Sequence, residues 1–167
     1  WAFRHLGLQG DSIVAFRGAC RVRQEDLVDL ADSLAGAFIY SPDMLHFIAE
    51  HFENDLEKGV LRQRLLVVLA KEILEEMAKI KAVRRGDDLF VGKRKLSVSI
   101  ATVTPVSVVI HFGLNVLSEG APVAAVGLQE LGLPEGAVRE FAARLLTAYA
   151  AETEGVRLAR CKVRGVP

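Results

Sequence analysis

The sequence has little cysteine, no imbalance of charge and no long apolar run, and each of these scarcities excludes a class of protein. Two cysteines in 167 residues are too few for a disulfide scaffold or a cysteine-based zinc site, which favours a reducing, cytoplasmic location. Lys and Arg together number 21, as do Asp and Glu, so the chain as a whole does not attract DNA or an anionic membrane. The longest apolar run, residues 65–70, is far shorter than the roughly 20 residues that cross a bilayer, so no membrane partner is expected.

The sequence is instead rich in apolar residues. They make up 51% of the chain, enough for an ample core, and we expect residues 1–167 to form a single domain. The glycine-rich loops of the common nucleotide-binding proteins are missing from the sequence, so a phosphate site of those kinds is not expected. The chain begins at Trp1 without a methionine or a signal-like segment, so we expect further residues upstream.

Hydrophobic periodicity predicts an α+β fold. Alternating or β-branched segments predict strands at residues 11–18, 19–23, 88–91, 95–103, 106–116 and 156–163. Helices are predicted at residues 41–57, at 60–80, and from Pro134 to just before Gly155. The first of these begins at Ser41-Pro42-Asp43, which combines a capping hydroxyl, a proline and an acid. The order of elements predicts a largely antiparallel sheet with helices on one face.

Two of the predicted strands carry polar residues on alternate positions. If their apolar faces coincide, the opposite surface presents Lys95, Ser97, Ser99, His111 and Asn115, with Gly113 allowing close backbone approach. This surface could bind a small molecule. The pairing requires an odd-length loop or a bulge near Thr104-Pro105. An antiparallel sheet with one solvated face and no ligand explains the pattern equally well.

The same strands carry a resemblance to a known group of enzymes. Gly92-Lys-Arg-Lys-Leu-Ser-Val-Ser-Ile100 resembles the lysine-bearing strand of biotin and lipoate protein ligases. Val108-Val-Ile-His-Phe-Gly-Leu-Asn-Val116 is similar to the Gly-Leu-Asn-Val strand of biotin ligases. The segments 10–18 and 43–48 resemble a family of uncharacterised prokaryotic proteins in the fold superfamily that also holds class II aminoacyl-tRNA synthetases.

The resemblance implies an enzyme that forms or transfers an activated acyl group on a small carboxylic acid. Lys95 would hold the substrate carboxylate and the α-phosphate of ATP. Arg17 would add a phosphate contact, and Asp11 would bind Mg²⁺ or a substrate amine. ATP and Mg²⁺ are therefore the implied cofactors.

Two departures from the ligases support an alternative, a non-catalytic small-molecule-binding protein on the same fold. The Gly-Arg-Gly-Arg loop of the biotin ligases is missing, and Val98 stands where ligases have a glycine. A homodimer through an exposed strand edge is compatible with either function.

Two further hypotheses concern metals and nucleic acids. His46 and Glu50 share a face of the predicted helix and suggest a metal hydrolase, although no third ligand is evident; His46 could equally contact a substrate. A solvated helix face explains both residues as well. Basic residues concentrate between positions 79 and 95, but no RNA-binding signature accompanies them, so nucleic acid is not the favoured partner.

Overall fold

The computed structural model describes residues 1–166, which form two antiparallel sheets and four α-helices. The helices are α1 (Ala2–Leu6), α2 (Leu30–Leu34), α3 (Leu56–Ala78) and α4 (Glu135–Ala159), with a 3-10 turn at Gln24–Asp26. The strands are β1 (Ser12–Val22), β2 (Ile39–His51), β3 (Val83–Arg85), β4 (Asp88–Val91), β5 (Arg94–Lys95), β6 (Ser97–Val103) and β7 (Val108–Leu117).

The larger sheet, sheet A, has the strand order β1-β2-β7-β6, and all its pairs are antiparallel. Helix α3 packs on β6 and β7, and α4 packs on β1 and α3, so both helices cover the same face. That helix face is apolar because alternate positions of the central strands bury Leu45, Phe47, Ala49, Ile110, Phe112 and Leu114 against Leu66, Leu74, Phe141 and Leu145. The prediction of an α+β fold with helices on one face of an antiparallel sheet is confirmed.

The opposite face of sheet A is called the outer face. It receives the other set of alternating side chains, including Met44, His46 and Glu50 from β2, and His111, Gly113 and Asn115 from β7. The short helix α1 covers one end of the outer face, where the Ala2 N–H donates to Glu50 at 2.7 Å.

The smaller sheet, sheet B, has the order β3-β4-β5 and leads directly into β6. Its strand β5 also pairs in parallel with the connection between β7 and α4, through a bridge between Lys95 and Ala125. The predicted strands at residues 88–91 and 95–103 are therefore present, although the second is divided between two sheets.

The predicted helix at residues 41–57 is wrong, because this segment forms β2, the central strand between β1 and β7. The Ser41 hydroxyl caps no helix; it lies within hydrogen-bond distance of the carbonyl oxygens of Asp43 and Leu117, at 2.8 and 2.9 Å, and shares its single hydrogen between them. Pro42 has no partner in the register of β2 with β1 or with β7, so its missing N–H costs no ladder hydrogen bond.

The other boundary corrections lie near the two ends of the chain. The two strands predicted at residues 11–18 and 19–23 are one strand, β1, with an irregularity between Gly18 and Cys20. The predicted strand at 156–163 is wrong, because α4 continues past Gly155 to Ala159. The helix predicted at residues 60–80 is confirmed as α3, which begins four residues earlier at Leu56, where the Asp55 carboxylate accepts from the Lys58 N–H at 3.0 Å.

The pairing of β6 with β7 contradicts the predicted polar surface. Val103 pairs with Val108, so the connection has four residues, an even number, and no bulge follows it. Ile100 therefore lies opposite His111, and Ser99 lies opposite Phe112. Ser97 and Ser99 point to the helix face, while His111, Gly113 and Asn115 point to the outer face.

Candidate functional site

The outer face holds an array of stacked rings that crosses three strands. Phe16 of β1 stacks on His46 with ring centroids 4.8 Å apart, and His46 stacks on His111 of β7 at 5.3 Å. The Trp1 ring stacks on the far side of Phe16 at 6.4 Å. The two histidines also hydrogen-bond, with His46 Nδ1 3.0 Å from His111 Nε2. The structure therefore brings together two of the predicted site residues that lie 65 positions apart.

Both histidines of this array are neutral at pH 7. Burial, together with the neighbouring His46, lowers the pKa of His111 to about 4. Burial also lowers the pKa of His46, although the carbonyl of Gly18 and the charge of Asp43 favour its protonated form. The pair therefore presents polar ring nitrogens without a positive charge.

Gly113 and Asn115 lie beside the histidines on the outer face. Gly113 pairs with His46, and a Cβ added at Gly113 would lie 2.3 Å from the Met44 sulfur. The close approach that the glycine permits is thus made by the Met44 thioether. The Asn115 side-chain amide donates to the carbonyl of Val126 at 3.4 Å, which helps to hold the connection between β7 and α4 against the sheet.

Lys95 lies on β5 and pairs with one carboxylate. Its Nζ is 2.8 Å from Asp88 Oδ2, and the two side chains are 29% and 26% exposed. Burial raises the pKa of the Asp88 carboxyl; Lys95 lowers it, and the carboxylates of Asp87 and Asp32 raise it again. Lys95 therefore stands in an acidic neighbourhood, and its present partner is a carboxylate whose charged form is disfavoured by its surroundings.

Ser97 and Ser99, which point to the helix face, have structural hydrogen bonds. The Ser97 hydroxyl is fully buried and accepts from the Leu89 N–H at 2.8 Å, which links sheet A to sheet B. The Ser99 hydroxyl accepts from the Gln63 side chain at 2.8 Å, and that amide also donates to Asp87. Neither serine shares a surface with His111.

Arg17 also points toward the helix side, because it lies opposite Leu45 in the register of β1 and β2. Its guanidinium donates to Asp43, with Nε 2.8 Å from Oδ1, and to Glu135 in the first turn of α4. These hydrogen bonds raise the pKa of Arg17 above its ordinary value. Its guanidinium therefore ties β1, β2 and α4 together, and its phosphate contact stays a prediction.

Asp11 belongs to a hydrogen-bonded array that the sequence analysis missed. Its carboxylate accepts from the Phe52 N–H at 2.8 Å and lies 3.0 Å from His51 Nδ1. On the other side of the ring, His51 Nε2 is 2.9 Å from the Tyr149 hydroxyl of α4. Burial alone would raise the pKa of Asp11, but these hydrogen bonds hold it below its ordinary value. No local sequence signal marks the array, because His51 lies 40 and 98 residues from its partners.

The metal-hydrolase hypothesis assumed that His46 and Glu50 lie on a helix, but both residues lie on the strand β2. On β2, the carboxylate of Glu50 accepts from Ala2 and from the Ser107 hydroxyl at 2.9 Å, while His46 pairs with His111. In residues 1–166, no three His, Cys, Asp or Glu side chains are grouped as metal ligands would be.

Two surface hollows lie away from these residues. One, of about 500 Å³, is lined by residues 21–25 and 38–40, at the base of the connection between β1 and β2. The other is lined by residues of α3 and α4, among them Ile73 and Arg144. Within the described part of the chain, no helix has the length and apolar character needed to cross a bilayer.

The fold belongs to the class of biotin and lipoate protein ligases. A biotin protein ligase from Aquifex aeolicus in complex with biotin and ATP has a TM-score of 0.52 and 20% identity, covering 65% of this chain and 49% of that chain. Lipoate-protein ligase A bound with ATP has a TM-score of 0.55 and 14% identity, covering 90% of this chain and 77% of that chain. At these identities the likeness establishes the fold alone.

The chain itself belongs to the family described as Domain of unknown function (DUF366), which matches residues 1–164. A protein of unknown function from Pyrococcus horikoshi is 45% identical with a TM-score of 0.92, covering 100% of this chain and 88% of that chain. Uncharacterized protein MJ0805 from Methanocaldococcus jannaschii is 45% identical over 141 residues, which are 81% of this chain and 63% of that protein. The chain thus spans less than two thirds of this curated relative. The predicted resemblance, to an uncharacterised family on the ligase fold, is confirmed.

Proposed function

We propose that this protein binds a small carboxylic acid at the end of the outer face near Asn115, with the ammonium of Lys95 as the contact for the acid group. Val126 connects the two residues, since its N–H donates to the Lys95 carbonyl and its own carbonyl accepts from the Asn115 amide. The observation that carries the proposal is the ion pair of Lys95 with Asp88, at 2.8 Å. Because the surroundings of Asp88 disfavour its charged form, a ligand carboxylate can replace it at Lys95 while Asp88 takes up a proton. The likeness in fold to proteins that act on biotin and lipoate supports an acid of that size.

The proposed surface for the body of the ligand is the outer face at His111, the partly exposed member of the group, with the buried residues His46, Gly113 and Asn115 supporting it from β2 and β7. They lie together on β2 and β7, and the ring of Phe16 and the aliphatic side chain of Ile100 add apolar area beside them. Aromatic rings and aliphatic side chains with a few polar atoms are the usual lining of small-molecule sites. Ser97 and Ser99 are not part of this surface, since they face the helices.

In the enzymatic form of the proposal, the protein activates the bound acid with ATP and Mg²⁺. A carboxylate oxygen would attack the α-phosphorus of ATP, forming an acyl-adenylate and releasing pyrophosphate. Lys95 would then neutralise charge on both reacting groups. Asp11 hydrogen-bonds His51 on the helix side, so it is not part of this outer-face surface; its carboxylate is 56% exposed, and its contact with Mg²⁺ or an amine stays a separate prediction.

A specific observation favours the second candidate, a binding protein without ATP chemistry. The connection between β1 and β2 carries Glu25, Asp26, Asp29 and Asp32, and no Lys or Arg between residues 24 and 38. Asp32 lies close enough to Asp88 to raise its pKa. Acids near Lys95 repel a triphosphate, so the residues present fit a singly charged carboxylate better than ATP.

A thermal-shift experiment tests both forms. Biotin, lipoic acid and octanoate are each added with and without ATP and Mg²⁺ to the wild type, to Lys95→Ala and to the matched control Lys93→Ala, whose side chain is exposed on the neighbouring turn. An acid at about 100 times its Kd adds roughly 2.7 kcal/mol of stability, a rise in Tm on the order of 5–10 °C.

We expect an acid to raise Tm in the wild type and in Lys93→Ala, and to have little effect in Lys95→Ala. A Mg²⁺-dependent rise with ATP that also requires Lys95 would support the enzymatic form. An equal shift in Lys95→Ala would contradict the role of Lys95, and no shift with any acid would contradict the proposed function.

A further inference from the structure

A chain of hydrogen bonds on the outer face assigns the protons of its two histidines. His46 Nε2 lies 3.3 Å from the carbonyl oxygen of Gly18, and His46 Nδ1 lies 3.0 Å from His111 Nε2. A carbonyl oxygen only accepts hydrogen bonds, so His46 Nε2 must carry the hydrogen and donate it to Gly18. The β1 backbone therefore selects the tautomer of His46.

The tautomer of His46 selects that of His111. Burial keeps both rings neutral at pH 7, and a neutral imidazole carries one N–H only. With its hydrogen on Nε2, His46 has a lone pair on Nδ1, which accepts the hydrogen of His111 Nε2. The remaining nitrogen, His111 Nδ1, is then a hydrogen-bond acceptor.

This acceptor has no partner within residues 1–166. None of the hydrogen bonds of the described residues involves His111 Nδ1, and the ring is partly exposed on the outer face. Its position is fixed, because His111 is both stacked on and hydrogen-bonded to His46, and His46 is stacked on Phe16. Ile100, which lies opposite His111 in the sheet, makes the neighbouring surface apolar. A fixed acceptor beside apolar side chains is typical of a group that recognises a ligand.

We propose that His111 selects ligands by accepting a hydrogen bond at Nδ1, so that the preferred acid carries an N–H or O–H donor in its head group. The inference rests on the proposed function and narrows its ligand class. An acid whose head group lacks a donor would shield Nδ1 from solvent without offering it a hydrogen bond, and such an unpaired acceptor weakens binding. His46 acts as a positioning residue, since it reaches the ligand only through His111.

Biotin and lipoic acid are suitable probes. Both carry a carboxylate on an aliphatic chain, but the ureido ring of biotin offers N–H donors and the dithiolane ring of lipoic acid offers none. We expect calorimetry to show about tenfold tighter binding of biotin by the wild type. In His111→Phe, which keeps a ring against His46 but has no acceptor nitrogen, we expect the preference for biotin over lipoic acid to disappear.

The possible outcomes separate this inference from the proposed function. Equal binding of the two acids by the wild type, or a biotin preference that persists in His111→Phe, would overturn the role of His111 and leave the proposed function intact. Binding of neither acid would contradict both.

A measurement without ligand tests the hydrogen-bond chain directly, and it does not depend on how well the variant folds. Long-range ¹H–¹⁵N correlation spectra of the wild type distinguish the two tautomers of each histidine. We expect His46 and His111 both to carry their hydrogen on Nε2 at pH 7. A hydrogen on His111 Nδ1 would overturn the inference, because Nδ1 would then be a donor.

Discussion

At the scale of single residues, His46 and His51 show how an odd spacing on one strand produces two different environments. They lie five residues apart on β2, so their side chains leave opposite faces of sheet A. His46 joins the stacked rings of the outer face, whereas His51 lies between Asp11 and Tyr149 on the helix side. On a helix, the same spacing of five residues would have placed the two side chains at different angles around the axis, not on opposite faces of a sheet.

The hydrogen bond between Tyr149 and His51 is expected to stabilise the fold. Tyr149 is 1% exposed, and its hydroxyl has His51 Nε2 as its partner. Since Asp11 accepts from Nδ1–H, the ring nitrogen at Nε2 must accept from the tyrosine. In Tyr149→Phe this buried acceptor loses its donor, and we expect the free energy of unfolding to fall by about 1–2 kcal/mol.

Urea denaturation of the two proteins measures this loss. Tyr40→Phe is the matched control, because Tyr40 is only partly buried and its hydroxyl has no hydrogen bond within residues 1–166. The control should unfold at the wild-type denaturant concentration. Equal stability of Tyr149→Phe and the wild type would show that the hydrogen bond makes no net contribution to the free energy of unfolding.

At the scale of elements, a helix or strand could be predicted from the sequence when the contacts that determine its conformation come from residues nearby in the chain. Helix α3 follows from its own periodicity and from the Asp55 cap. β2 could not be recognised, because Ser41, Pro42 and Asp43 form a good helix start by themselves. Their strand conformation depends on Leu117 and Arg17, which lie 76 and 26 residues away. The available signal was residues 44–49, which are apolar except for His46 and show no helical period, since a strand buried on both faces need not alternate.

The candidate site, too, could be predicted only in the part that does not depend on distant contacts. The sequence was sufficient to select His46, His111, Gly113 and Asn115 as residues of interest, and the structure places them on one face. It was not sufficient to separate them from Ser97 and Ser99, because that distinction depends on the register of β6 with β7.

The connection between β7 and α4 depends on one close approach of backbone to backbone. Leu128 N–H donates to Asn115 O at 2.8 Å, and a Cβ added at Gly127 would lie 2.4 Å from the carbonyl oxygen of Val116. No side chain can move to relieve this overlap, so we expect Gly127→Ala to lower the free energy of unfolding by about 1–3 kcal/mol.

Gly136→Ala provides the comparison for thermal unfolding. Gly136 lies in the first turn of α4, and a Cβ there meets no atom within 4 Å. Alanine should leave stability unchanged or raise it by about 0.5 kcal/mol. If both variants unfolded at the same temperature, the overlap of an added Cβ at Gly127 with the Val116 carbonyl would not destabilise the fold, and the prediction would be wrong.

At the scale of the whole molecule, three histidines give the fold a dependence on pH. Burial lowers the pKa of His46, His51 and His111 in the folded protein, the last to about 4. The unfolded chain binds protons at these sites near its ordinary histidine pKa of about 6.5. Stability is therefore fully present above that pH and is lost as the pH falls below it, a loss that for His111 is complete below about pH 4.

Denaturant unfolding between pH 7.5 and 4.5 measures this effect. The free energy of unfolding should be flat above about pH 6.5 and decline below it, and the decline should be shallower in His111→Phe. The carboxylates with lowered pKa, such as Asp11 and Glu130, contribute mainly below that window. Constant stability down to pH 5 would contradict the neutral state of the buried rings.

The four residues that join β6 to β7 have a consequence for how this family can vary. Inserting or deleting one residue there would slip the edge strand β6 by one position against β7, which β2 holds in place. Val98 and Ile100 would then face the helices and Ser97 and Ser99 the outer face, because neighbouring side chains of a strand alternate between faces. Insertions of two residues preserve both faces. We therefore expect related chains to differ in the length of this turn by even numbers of residues, so that a surface turn limits the evolutionary changes that the sheet tolerates.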